Sequence, residues 1–156
     1  MTVNHDRFFD AEHLGIALAA GRIGMWSWDA LTDAVTWDDA MYERFGLSPD
    51  AAVGSFDDYL QRLHPDDRDV AISAVSAARE DSGDFSFEHR TIWPDGSVHW
   101  IEGRGRCVFD EAGKFLGMVG IGVDIDDRKR VAEIQLEAET LRANAELVVE
   151  IGRAHV

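Results

Sequence analysis

The chain has 156 residues, 46% of them hydrophobic and 29% charged, which suits one soluble domain of ordinary size and excludes a disordered segment. With 30 acidic residues against 15 basic ones the formal net charge is −15, so a nucleic acid or an anionic membrane surface would be repelled by the average surface. Cys107 is the single cysteine, which rules out an internal disulfide and a cysteine-rich zinc site. No apolar run approaches the roughly 18 residues that span a bilayer. The opening stretch MTVNHDRFFDAEH lacks the basic-then-apolar order of a signal peptide, so the cytoplasm is the expected location.

From about Asp6 to Ala20 the pattern is helical, with Phe8, Ala11, Leu14 and Leu18 on an apolar stripe. Ile23 to Asp29 and Ala34 to Trp37 then read as two short strands joined through Leu31-Thr-Asp-Ala34. Several helix starts follow. Asp38-Asp39 puts acids where a helix dipole favours them. Ser48-Pro49-Asp50 places a capping serine before a first-turn proline, and Ser55-Phe-Asp-Asp58 resembles a capping box with Asp in place of Glu. His64-Pro65-Asp66-Asp67 opens a helix expected to run to about Arg79, with Val70, Ile72 and Val75 as its apolar members. Asp66-Asp67 are read as part of that helix start before they are read as metal ligands.

From Phe85 to Ile125 the period changes to two. The loops Trp93-Pro-Asp-Gly-Ser97 and Asp110-Glu-Ala-Gly-Lys114 share one plan, glycine fourth of five, which suits a type I turn closed by a left-handed glycine and a bulge. These turns set Trp93 opposite Ser97 and Asp110 opposite Lys114. On that register one face collects Phe85, Phe87, His89, Ile101, Gly103, Gly105 and Cys107, and the third strand adds Phe115, Gly117, Val119, Ile121, Val123 and Ile125. The other face collects Glu88, Arg90, Trp100, Glu102, Arg104, Arg106, Met118 and Asp124, with Asp124 directly opposite Trp100. An antiparallel sheet with one core side is expected. Gly103 and Gly105 fall opposite Phe87 and Phe85, where the missing side chains either receive the rings or leave a cavity; ring packing is the more direct geometry. Gly117-x-x-Gly120-x-Gly122 lies within a strand and fails the context of a nucleotide loop.

Arg128 to about His155 is helical again. Val131, Ile134, Ala138, Leu141, Ala145 and Val148 follow 3-4 spacing, as the core positions of a coiled coil do. Glu137 and the following Arg142 then occupy the positions that bridge parallel chains. The alternative is a monomeric amphipathic helix, for which Leu136, Leu147 and Ile151, off the stripe, speak.

The order of elements and five local patterns resemble a PAS domain of the PAS fold-3 type. The patterns are GRIGMWSWD (Gly21–Asp29), VTWDDAMYERFGLSP (Val35–Pro49), LHPDDR (Leu63–Arg68), FEHRTIWPDGSVHWIEGRG (Phe87–Gly105) and VGIGVDIDDRKR (Val119–Arg130), and the resemblance covers about Leu14 to Glu133. It implies an α+β fold: a five-stranded antiparallel sheet with short helices over one face. An N-terminal cap helix would occupy residues 1–21, the core 22–126, and a coiled-coil signalling helix 127–156. It also implies a sensory and dimerisation module of a bacterial-type histidine kinase or cyclic-dinucleotide enzyme, relaying the state of a pocket through the exit helix. A homodimer through the parallel coiled coil is expected, with the N-terminal helix as a further candidate contact and an effector domain as partner. The chain itself is not expected to be an enzyme, since no nucleophile with a nearby base is visible.

The pocket candidates are Trp28, Met41, Tyr42, Phe45, Phe87 and His89, joined by Ile101, Cys107, Val119 and Ile121. The relay candidates are Trp100, Asp124, Ile125, Asp126 and Arg128. The family pattern Asp-Ile-Thr reads Asp124-Ile125-Asp126 here, which keeps a helix-capping side chain and adds charge. No cofactor is required. The alternative is a flavin or heme photoreceptor, redox or gas sensor, with Trp26, Trp28, Trp37, Tyr42, Phe45 and Phe87 about a flavin or His89 as an inward histidine. A cysteinyl-flavin adduct is disfavoured because the helical cluster contains no cysteine.

Overall fold

The structure, a computed structural model, describes residues 10–81 and 83–155; the part of the expected N-terminal stripe before Asp10, including Phe8, lies outside them. The elements are α1 (Ala11–Ala20), β1 (Ile23–Asp29), β2 (Ala34–Trp37), α2 (Asp39–Arg44), α3 (Phe56–Gln61), α4 (Arg68–Asp81), β3 (Asp84–Ile92), β4 (Val98–Phe109), β5 (Phe115–Asp124) and α5 (Asp126–Ala154). Single 3₁₀ turns at Pro49–Ala51 and Pro65–Asp67 complete the helical region. The sheet is antiparallel throughout, in the order β2-β1-β5-β4-β3.

Local chemistry explains most of these boundaries. Asp38 accepts hydrogen bonds from the Met41 N–H that opens α2 (2.8 Å) and from the Met25 N–H of β1 (2.9 Å), so one carboxylate caps a helix and ties it to the sheet. Ser55 Oγ accepts from the Asp58 N–H at 3.1 Å, as its capping pattern predicts. Ser48 sits at the N-cap of its 3₁₀ turn without a side-chain bond. Along α4 the expected face is corrected in part: Val75 packs against the core as expected, but Val70 and Ile72 are exposed, while Ala71 and Ala78 are buried. Small residues let that helix approach the sheet closely.

Both hairpins have the expected turn. Gly96 and Gly113 adopt φ of +83°, and each loop closes on bonds between its first and last residues, Trp93 N–H to Ser97 O and Asp110 N–H to Lys114 O, both 2.9 Å. The β3–β4 register follows directly, with Phe87 opposite Gly103 and Phe85 opposite Gly105.

The β4–β5 register is corrected. Phe109 pairs with Phe115, but Val108 pairs with Gly117, leaving Leu116 as an extra residue. Such a bulge reverses the facing of every later residue in its strand. Met118 is therefore turned inward and 2% exposed, while Val119 is 48% exposed. Val119, Ile121 and Val123 thus belong to the outer face and not to the core face, and Asp124 pairs with Ile101 and not with Trp100. The cause is tertiary: the carbonyl of Leu116 accepts the Ala30 N–H (2.9 Å) at the end of β1, and Gly117 lies so close to Trp28 that an added Cβ would meet its carbonyl oxygen at 2.0 Å.

The chain divides into two compact units between Asp124 and Ile125. In the second, the N-cap residue is Ile125, whose side chain makes no cap bond, and Asp126 is the first helical residue. That corrects the capping role expected of Asp126, although Asp126 and Asp127 still place acids in the first turn. No residue of α5 is buried, and Leu141 is 69% exposed.

Candidate functional site: a small aromatic cavity

The inner face of the sheet and helices α2, α3 and α4 enclose a cavity of about 50 Å³. Its walls are largely aromatic: Trp26 and Trp28 from β1, Trp37 from β2, Phe56 and Tyr59 from α3, Phe85 and Phe87 from β3. Met41, Ile101, Gly103 and Met118 contribute aliphatic and backbone surface. Alternation explains the strand members, because Trp26 and Trp28, and likewise Phe85, Phe87 and His89, are two residues apart. Phe56 and Tyr59 lie three apart on α3 and so share a face.

Polar groups in the wall are few. The indole N–H of Trp26 donates to the Ile121 carbonyl (3.0 Å) and that of Trp28 to Asp33 Oδ1 (2.9 Å). Tyr59 Oη and His89 Nε2 share a hydrogen bond of 3.2 Å. His89 is 2% exposed, and its Nδ1 is buried without a hydrogen-bond partner. Burial holds the imidazole pKa down to about 4 against a weaker opposing pull from the Asp67 carboxylate, so the ring is neutral at physiological pH. Burial also raises the Tyr59 phenol above its ordinary range. Both shifts follow from burial, which disfavours the charged form of each group.

Behind His89, the next residue of β3 anchors the 3₁₀ turn. Arg90 donates to Asp67 from its backbone N–H (2.6 Å), from Nε (3.0 Å) and from a terminal nitrogen (2.6 Å). The guanidinium also lies over the Trp100 ring on the outer face, 5.4 Å from its centroid. Sequence reasoning placed Asp67 in a helix start and did not find this pair, whose partners meet only when β3 crosses the turn.

Of the residues expected at the pocket, Trp28, Met41, Phe87, His89 and Ile101 line the cavity together. Tyr42 and Phe45 are instead buried in the adjoining cluster with Trp37, Val53 and Leu63, where Tyr42 Oη accepts the Val53 N–H at 3.1 Å. Cys107 belongs to a second cluster with Ala78, Phe115 and Met118, and burial raises its thiol pKa. Val119 and Ile121 leave the cavity because of the bulge. Trp26 and Trp37, named in the sequence only for the flavin alternative, and Phe85, placed on the inner face, also line the cavity, whereas Phe56, Tyr59 and Met118 are members that sequence reasoning missed; Gly117 after the turn was the available signal for the bulge that turns Met118 inward. The two glycines facing Phe85 and Phe87 divide the possibilities between them. An added Cβ at Gly105 would strike Phe85 at 2.7 Å and Trp26 at 2.8 Å, whereas at Gly103 it would find nothing nearer than the Phe87 ring at 3.7 Å. Gly105 receives rings, and Gly103 leaves space.

A flavin or a heme calls for a space on the order of several hundred Å³. Neither fits a cavity of about 50 Å³, and His89 Nε2 is engaged by Tyr59. Among the described residues no group of three or more His, Cys, Asp or Glu is arranged to hold a metal, and no helix is long and apolar enough to cross a membrane.

The sequence profile of the PAS fold family matches residues 34–122. Over 120 residues the chain is 33% identical to the sensor protein FixL of Bradyrhizobium diazoefficiens, covering 77% of this chain and 24% of that protein. It is 26% identical over 148 residues to the probable diguanylate cyclase DgcE of Escherichia coli, covering 92% of this chain and 13% of that protein. The crystal structure of a sensory box histidine kinase/response regulator from Burkholderia thailandensis superposes with a TM-score of 0.71 at 27% identity, covering 83% of this chain and 98% of that one. The chain thus spans less than a quarter of the length of these two curated relatives.

Proposed function

Because the chain belongs to the PAS fold family, whose members here are parts of sensor proteins, we propose that it relays the state of its aromatic cavity through α5 to an attached effector. The effector is a histidine kinase or a cyclic-dinucleotide enzyme, and the chain contributes sensing and dimerisation rather than turnover, in the cytoplasm. The observation that carries this reading is the course of β5. This central strand turns Met118 into the cavity wall, ends at Asp124, and is followed directly by a 29-residue helix. That helix exposes Val131, Ile134, Leu141 and Val148 at 3-4 spacing. Exposed core positions of that spacing suit a second copy of the same helix in a parallel pair, with Ala138 and Ala145 between them.

Sedimentation tests it. The chain at tens of micromolar should be a dimer, and Leu141→Glu should make it a monomer with an unchanged core spectrum. A monomeric wild-type chain would overturn the coiled-coil relay.

A further inference from the structure

We propose that the cavity takes an uncharged molecule of only a few heavy atoms, a dissolved gas or a small carbonyl compound or alcohol, with Gly103 setting its size. The inference rests on the sensory reading above and names the class of ligand sensed. Size comes first. One water needs roughly 10–15 Å³ of such space, and a cavity that accepts benzene is about 150 Å³, so about 50 Å³ holds on the order of four water-sized atoms. Charge is decided next. Among the described residues the cavity wall contains no carboxylate, ammonium or guanidinium group, and its histidine is held neutral by burial. A charged guest would lose its hydration with no partner in return. One polar atom can be accommodated, because Tyr59 and His89 share a hydrogen bond that a carbonyl or hydroxyl oxygen could join or replace. Gly103 lines this space, and a methyl there would lie 3.7 Å from the Phe87 ring and 3.8 Å from His89 Nε2, taking up part of it without collision.

Acetone and acetate make the decisive comparison, being close in shape and different in charge. In nuclear magnetic resonance titrations of the full chain, xenon and acetone should shift the indole N–H signals of Trp26 and Trp28 saturably, while acetate and benzene should not. Gly103→Ala should keep the fold and weaken both xenon and acetone at least fivefold; Tyr59→Phe should weaken acetone and spare xenon. Saturable acetate binding as tight as that of acetone, stoichiometric uptake of benzene or hemin, no response to xenon and acetone, or Gly103→Ala binding unchanged would each overturn the proposal. The wild-type comparison stands without any variant. Sedimentation of the same samples separates the two readings: a dimer that dissociates on Leu141→Glu but binds neither probe leaves the relay standing and the ligand class wrong.

Discussion

Asp67 and Arg90 grip one another through two side-chain contacts and one backbone hydrogen bond, at 2.6, 3.0 and 2.6 Å. The carboxylate is nearly buried and the guanidinium partly so. The pair fastens the turn at Pro65–Asp67 to β3 beside His89, and Arg90 holds the carboxyl pKa of Asp67 below its ordinary value. Removing one partner leaves the other charge unanswered in a poorly solvated place. Arg90→Ala should therefore lower the midpoint of urea unfolding, because it leaves the nearly buried Asp67 carboxylate without its partner.

His89 should make stability depend on pH. Its folded pKa of about 4 lies below the ordinary 6.5, so the unfolded chain binds the proton more readily. The resulting stability is fully present above pH 6.5, declines as the pH falls toward 4, and then levels off for this group. The gap corresponds to about 3 kcal/mol. His89→Leu should flatten this part of the profile, measured by chemical denaturation at closely spaced pH values.

The bulge at Leu116 predicts opposite tolerances at two nearby positions of β5. Met118→Ala removes a fully buried side chain and should cost about 3 kcal/mol. Ile121→Thr, on the outer face, should cost under about 1 kcal/mol. Had the strand kept its uninterrupted alternation, the larger loss would fall at Ile121, so the two melting temperatures compare the registers directly.

Gly117→Ala should be among the most damaging single-methyl additions. The new Cβ would collide with the Trp28 carbonyl oxygen at 2.0 Å, a backbone atom that cannot rotate away. A loss of about 3 kcal/mol is expected, against a change within about 0.5 kcal/mol for Gly103→Ala, whose methyl meets ordinary contacts. Thermal unfolding of the two variants side by side makes the measurement.

Sequence alone settled those features whose causes lie within a few residues. The turns at Gly96 and Gly113 close on hydrogen bonds inside five-residue loops, so the pairing of Phe87 with Gly103 was readable, as were the Ser55 cap and the spacing of Val131, Ile134 and Leu141 along α5. The tertiary structure decided which way the later half of β5 faces, because the extra residue at Leu116 is held by the Ala30 N–H and by the closeness of Trp28, both contributed by the end of a distant strand. It also decided that Tyr59 meets His89 and that Asp67 meets Arg90, pairs whose members come from separate elements. Periodicity reports only the average preference of a strand for one side, and a single inserted residue reverses that side at a point that only the neighbouring strand determines.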